Sequence, residues 1–362
     1  MKKRRIVIAV LCVLLLACPL FFLSARKGRD AQAITKIGAI LGGNVKDRSY
    51  TQAQYEALAA VSERLGLELA FYENVRADET FPALAERLIA DGCGVIVSDN
   101  LTYEPYLLEL AAAYPNIYFL NACGTESAPN YSSYSGRVYQ ARYLSGIVAG
   151  LKTRTNEIGY VLAYLTPETI RQLNAFTIGV RKANPDAIVY ARHTDDWNDG
   201  EKAASVTTAL LDAHNIDVLT LHTNPISPLR IADERGAYVI GNNYDNRELF
   251  PDTYLTACVF HWEPFFEARL RECAEGRFVG QHYWEGVRSG LVSLAPLTEI
   301  AGPEARNIAG AELRRLLRGE FDVFFGPVRD IYGTVQVQEN ENLSDRELLY
   351  GMYWFVDGVI ME

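Results

Sequence analysis

From Lys36 onward, short apolar segments alternate with amphipathic ones, and this rhythm leaves few architectures open. KIGAIL, ELAFYE, GVIVSD and NIYFLNA have the length and the β-branched or aromatic content of strands. Between them lie a stretch from about Thr51 to Leu65, then FPALAERLIADG and EPYLLELAAAY, each with apolar residues at helical spacing. Strands that are apolar throughout are covered on both faces, which calls for a parallel sheet between layers of helix. The pattern then restarts. EIGYVLA, AIVYARHT, DVLTLHT and AYVIGN are the strands of a second unit, and GRVYQARYLSGIVAGLKT, PETIRQLNAFTIGVRKA, KAASVTTALLDAH and ISPLRIADERG are its helices. At 362 residues the chain exceeds the usual size of a single core. The expected fold is α/β, two doubly wound parallel-sheet lobes joined by a hinge. Residues 34–135 with about 256–300 are assigned to lobe 1, and 136–255 with part of the C-terminal tail to lobe 2.

Residues 1–30 are set apart from the fold. MKKRR precedes an unbroken apolar run from Ile6 to Leu23, the pattern of a secretory signal or a membrane anchor. LLAC, ending at Cys18, has the form of a lipoprotein cleavage site with Cys18 as the lipidated residue. LSA offers a second cleavage site, and the uncleaved run is just long enough to span a bilayer. All three readings place the remaining chain outside the cytoplasm, tethered or released. A net charge of −10 without a basic block argues against nucleic acid as a partner. Beyond the leader, Cys93, Cys123, Cys258 and Cys273 lack metal-site spacing. Cys93, Cys123 and Cys258 lie in or beside apolar runs and are expected to be small core residues, with a disulfide left open.

Ligands of open parallel sheets bind beyond the carboxyl ends of the strands. The segments that follow each strand are therefore the candidate site. In the first lobe they are GGNVKDRSYTQ, with Asp47, Tyr50 and Thr51, then DNLTYEP, with Asn100 and Tyr103, and ACGTES. In the second they are YLTPET with Glu168, DDWNDGEK with Trp197 and Asp199, TNPIS after His222, and NYDNRE, where Asn243 precedes Asp245. Two such faces across a hinge close around a small molecule. Catalysis finds no constellation to support it. HExxH, GxSxG, GxxxxGK[ST] and GxGxxG after a strand are all missing, and no cofactor or metal is implied. Trp197 stands among acids, where a core anchor, a partner surface and a stacking platform all remain open.

SSYSGRVYQARYLSGIVAGLKTRTNEIGYV, PETIRQLNAFTIGVRKANPDA and DWNDGEKAA, followed by VIGNNYDN, LTACVFHW (with Trp262) and YWEGVRSGLVSLAPL, resemble the basic membrane protein family. These are substrate-binding lipoproteins of ABC transporters, often for purine nucleosides or bases. The resemblance runs from Lys36 to about Pro296. It implies the type I periplasmic-binding-protein fold, an ABC permease as partner and a purine-like ligand. It also implies an aromatic clamp of Tyr50 from one lobe and Trp197 from the other, with Asp47, Thr51, Asp199 and Lys202 beside it. Asn100, Asn243, Asp245 and Glu168 are the candidates for reading the ligand's edge. The chain departs from the nucleoside pattern where that pattern holds ribose. Asn243 replaces an acid, Phe260 stands near an expected lysine, and Tyr139–Gln140 lacks an acid. These departures favour a free base such as adenine over a nucleoside. Arg137 and Arg142 are read as solvated or interlobe salt-bridging groups. The alternative is a membrane-tethered sensor of the same fold.

Overall fold

A computed structural model describes residues 34–362, so Cys18 and the apolar leader lie outside the described residues. Among the described residues, no helix is long and apolar enough to cross a membrane. The first lobe opens with β1 (Lys36–Ile40), α1 (Tyr50–Leu65), β2 (Glu68–Tyr72), α2 (Thr80–Ala90) and β3 (Val95–Ser98). It continues through α3 (Glu104–Ala113), β4 (Tyr118–Ala122), β5 (Ser127–Ala128) and β6 (Tyr131–Gly136). The chain then crosses into α4 (Tyr139–Lys152), β7 (Glu157–Leu162), α5 (Pro167–Ala183), β8 (Ile188–His193) and α6 (Gly200–Ala213). β9 (Val218–His222), α7 (Ser227–Glu234), β10 (Tyr238–Asn243) and β11 (Tyr254–Phe260) complete this run. α8 (Glu263–Ala274) and β12 (His282–Glu285) return to the first lobe. The tail carries β13 (Val292–Leu294), α9 (Gly302–Arg318), β14 (Val328–Arg329), β15 (Val335–Val337), α10 (Asp345–Tyr350) and β16 (Val359–Met361).

The strand order is β12-β6-β4-β3-β1-β2 in the first sheet, with β5 beside β6, and β13-β11-β10-β9-β7-β8-β16 in the second. The two sheets repeat one winding, and their strands pair in parallel except at β5–β6 and β11–β13. Because β11 belongs to the second sheet and β12 to the first, the return to lobe 1 spans about 261–285. That is narrower than the 256–300 expected, since the apolar run of β11 fits either sheet equally well. The strand Tyr131–Gly136 is also new. Its sequence YSSYSG lacks apolar alternation, yet it is paired with β4 on one side and β12 on the other. Its serines are satisfied by side-chain bonds: Ser132 Oγ accepts from Gln281 N–H, and Ser133 Oγ lies 2.8 Å from His282 Nδ1.

Helix α4 is buried along almost its whole length, because three glycines let it lie directly on α5. A Cβ at Gly146 would stand 2.0 Å from the Phe176 carbonyl oxygen, one at Gly150 2.5 Å from that of Val180, and one at Gly179 2.0 Å from that of Tyr143. The two backbones are therefore in contact, and the helix pair forms the centre of the second lobe's main core.

Candidate functional site

Both sheets reverse their winding next to their first strand, between β1 and β3 and between β7 and β9. Loops that leave a sheet at such a point diverge to opposite faces and leave a crevice. Between the two crevices is a cleft of about 590 Å3. The first lobe contributes Gly42, Asp47, Asn74, Arg76 and Asn100, and the second contributes Asn198, Asn224 and Pro225. This volume suits a small organic ligand.

The cleft's rims meet on one side. Arg48 pairs with Glu248 at 2.6 Å, and Asn246 Nδ2 donates to the Arg48 carbonyl. Asn243 Nδ2 donates to Ser49 Oγ at 3.4 Å, and Gln52 donates to the Tyr244 hydroxyl at 3.3 Å. The lobes are thus in contact through polar groups, of which Ser49, Asn243 and Asn246 are buried.

On the first lobe, Asp47 accepts from the backbone N–H groups of Ser49, Thr51 and Gln52 and so holds the start of α1. Thr51 Oγ1 donates to Asp99 Oδ2 at 2.9 Å, and Gly42 N–H donates to Asp99 Oδ1 at 2.7 Å. Asp99 thereby ties the β1 loop to the end of β3. Asn100 accepts from the Thr102 N–H and hydroxyl through its Oδ1. The Tyr50 ring stands edge-on to Phe260 and Trp262 at 6.1 and 6.3 Å, and its hydroxyl lies 3.3 Å from Cys123 Sγ. Burial raises the Tyr50 phenol well above its ordinary value.

Several expected positions turn away from the cleft. Tyr103 is fully buried, stacked on Phe81 at 4.3 Å, with its hydroxyl donating to the Val75 carbonyl. Trp262 is buried between Phe260 and Tyr134. Asp245 is held by Arg247 at 2.8 Å. Asp199 caps α6 by accepting from the Glu201 and Lys202 N–H groups. All four cysteines beyond the leader are free. Cys123 is exposed, with a left-handed φ of 60°, and is not a core residue; the apolar strand ends just before it. Arg142 is neither solvated nor an interlobe ion pair. It is fully buried and donates to Gln172, Thr220 and the Leu221 carbonyl. Arg137 forms a two-point pair with Asp345 and lies over the Trp284 ring at 3.9 Å.

On the second lobe, Trp197 is half-buried and meets His222 edge-on at 5.3 Å and Tyr164 at 6.1 Å. Glu168, with 42 % of its side chain exposed, lies 3.5 Å from His222 Nε2. Burial lowers the His222 pKa well below its ordinary value, and the guanidinium groups of Arg142 and Arg171 lower it further. His222 is therefore neutral. A neutral imidazole beside a tryptophan and a carboxylate can bind polar heterocycles. Among the described residues, no cluster of His, Cys, Asp or Glu is suited to a metal ion.

Asp99 yields a pH prediction. Burial pushes its carboxyl up to about 6, against the opposing bonds from Gly42 and Thr51. The folded state thus holds the proton more tightly than the unfolded chain, and ionisation costs stability as pH rises from about 4 to about 6. Above that window the cost is complete, at most about 3 kcal/mol. An Asp99→Asn amide keeps an acceptor for Gly42 and offers Thr51 an N–H. The unfolding free energy of the wild type minus that of Asp99→Asn, from urea titrations, is expected to fall across this window and then level off. A pH-independent difference would show that Asp99 does not titrate there.

Comparison with known proteins adds lineage to this geometry. The family model described as "Bmp: ABC transporter substrate-binding protein PnrA-like" matches residues 34–307. A purine-binding protein of Brucella abortus is 30 % identical over 331 residues, covering 91 % of this chain and 94 % of that one. A protein of Haloferax volcanii, named for a proposed glucose-binding role in an ABC transporter, is 28 % identical, covering 87 % of this chain and 78 % of its own. The crystal structure of an ABC transporter solute-binding protein from Aeropyrum pernix superposes with a TM-score of 0.69 at 16 % identity, covering 88 % of this chain and 98 % of that one. That likeness shows the shared two-lobed fold.

Proposed function

The chain belongs to the Bmp family of PnrA-like ABC transporter substrate-binding proteins, solute receptors rather than enzymes, and from that premise we propose that its ligand is a purine-like heterocycle. The receptor captures this molecule between its lobes, outside the cytoplasm, and delivers it to an ABC permease. A free base such as adenine is favoured over a nucleoside. The observation that carries this reading is the state of the positions where nucleoside-binding relatives hold ribose. Phe260 stacks on Trp262 at 4.6 Å, so an apolar ring stands near the expected lysine. The Tyr139 hydroxyl donates to Asp322, Gln140 accepts from Val287 N–H, and Asn243 bonds Ser49 across the rims. None of these groups is a charge held ready for a sugar.

The aromatic surface supports the same ligand class. Trp197 offers a half-buried indole on the second lobe, and the Tyr50 ring, at the start of α1 in the first lobe, stands edge-on to Phe260 and Trp262. Stacking on such surfaces tolerates different bases, so Asn100 and Glu168 would add hydrogen bonds at the ligand's edge. The N-terminal leader, with Cys18 as the lipidated residue, would keep the receptor at the membrane.

The test is mass spectrometry of small molecules released by denaturing the purified full-length chain. A free purine is the expected result. A nucleoside would overturn the preference for the base while keeping the family's ligand class. A sugar, or a protein that carries nothing and ignores purines in a thermal-shift panel, would overturn the purine reading and favour the sensor alternative or another solute.

A further inference from the structure

At the carboxyl end of the second sheet, three buried polar atoms lack a partner: His222 Nδ1 and both side-chain heteroatoms of Asn242. Both residues are more than nine-tenths buried. β9 and β10 run parallel, with Ile240 opposite Thr220. Two residues further on, Asn242 and His222 fall on the same face of these neighbouring strands. That face looks toward α5, where the partly exposed Glu168 lies 3.5 Å from His222, Trp197 closes on the same imidazole, and the neighbouring Asn198 and Asn224 line the cleft. Buried polar groups without partners are uncommon and costly in folded proteins, and where they gather beside a cleft a ligand can satisfy them.

The protonation pattern gives the pair a chemical preference. Glu168 Oε1, which also accepts from the Gln172 amide, is the acceptor nearest Nε2 at 3.5 Å, so we assign the imidazole proton to Nε2 and a lone pair to Nδ1. Burial, reinforced by Arg142 and Arg171, keeps the ring neutral. Nδ1 is then an acceptor waiting for a donor, and the Asn242 carboxamide adds one acceptor and one donor beside it.

We propose that His222 and Asn242 read the hydrogen-bonding edge of the ligand and admit an amino group next to a ring nitrogen in preference to a ring carbonyl. This rests on the purine reading above. An exocyclic amino group has two N–H donors, one for His222 Nδ1 and one for Asn242 Oδ1, while the adjacent ring nitrogen accepts from Asn242 Nδ2. Asn242 can rotate its amide to suit a carbonyl edge. His222 cannot follow while its proton sits on Nε2, and a carbonyl would set lone pair against lone pair. His222 is therefore the discriminating residue, and Asn242 supplies affinity.

Calorimetric titration of the full-length chain in detergent at about pH 8, with adenine and hypoxanthine as probes, tests this. The wild type is expected to bind adenine at least about tenfold more tightly than hypoxanthine. His222→Phe should bring the two within about twofold, and Asn242→Leu should weaken both by roughly tenfold. Glu168→Gln is the safer second variant, because residue 168 is half-exposed. Its amide can donate to Nε2 and move the imidazole proton to Nδ1, which should also narrow the ratio. Equal binding of both purines by the wild type overturns this inference and leaves the purine reading standing. So does an adenine preference that survives both His222→Phe and Glu168→Gln. If neither purine binds, both readings are overturned.

Discussion

Gly146→Ala is expected to destabilise the second lobe by at least about 3 kcal/mol, or to prevent its folding. The added methyl carbon would lie 2.0 Å from the Phe176 carbonyl oxygen. That oxygen belongs to helix backbone, so relief requires α4 and α5 to separate along their whole contact. Overpacking in a close-packed core costs about 1–3 kcal/mol where side chains can adjust, and here backbone must move. Gly179→Ala should behave alike, its Cβ meeting the Tyr143 carbonyl at 2.0 Å. Gly310→Ala in α9 is the matched control, since its Cβ would meet only the Arg314 guanidinium at an ordinary 3.6 Å. It should be neutral or stabilising by up to about 1 kcal/mol. Urea unfolding followed by circular dichroism separates these cases. A Gly146→Ala protein as stable as the control would show that α4 and α5 are not in backbone contact.

The second large effect is expected in ligand binding. Trp197→Ala should weaken purine binding by roughly 10- to 100-fold, the size of a lost stacking surface of about 1–3 kcal/mol. The same change should cost the fold little, because the indole is half-buried, tilted against Tyr164 and edge-on to His222. Calorimetric titration and thermal unfolding of the same sample distinguish the two roles. A drop in affinity without a comparable loss of stability identifies a ligand platform. A large loss of stability with affinity retained would make Trp197 a core anchor.

Much of the fold was legible because alternation of apolar strands with amphipathic helices is a local property. β1, β3 and β4 each read as buried runs, and α5 opens on a Thr166 capping box followed by a proline. The strand Tyr131–Gly136 was not legible, because its serines are buried by neighbouring strands rather than by their own chemistry. The site was legible as loops but less so as residues. Asp47, Asn100 and Asp199 were correctly placed on the loops beyond the strands. Their oxygens, however, are taken up by nearby N–H groups, the usual fate of short polar side chains at helix starts. Asn242 was passed over for Asn243. The strand's alternation places the two on opposite faces, and the left-handed φ of 64° at Asn243 directs its amide to the rim.

By itself, the sequence determined the class of architecture, the number of lobes and the loops from which a site must be built. Hydrophobic period and turn chemistry act over a few residues and need no distant partner. Only the tertiary structure decided the protonation and pairing of the groups inside. His222 is neutral because it is buried near two arginines, one 80 and the other 51 residues before it in the chain. Asp99 titrates high because the β1 loop closes over it, and Arg142 is buried because strand β9 offers it a carbonyl. Desolvation and hydrogen-bond satisfaction depend on what surrounds a group in space, and those surroundings come from segments far apart in sequence.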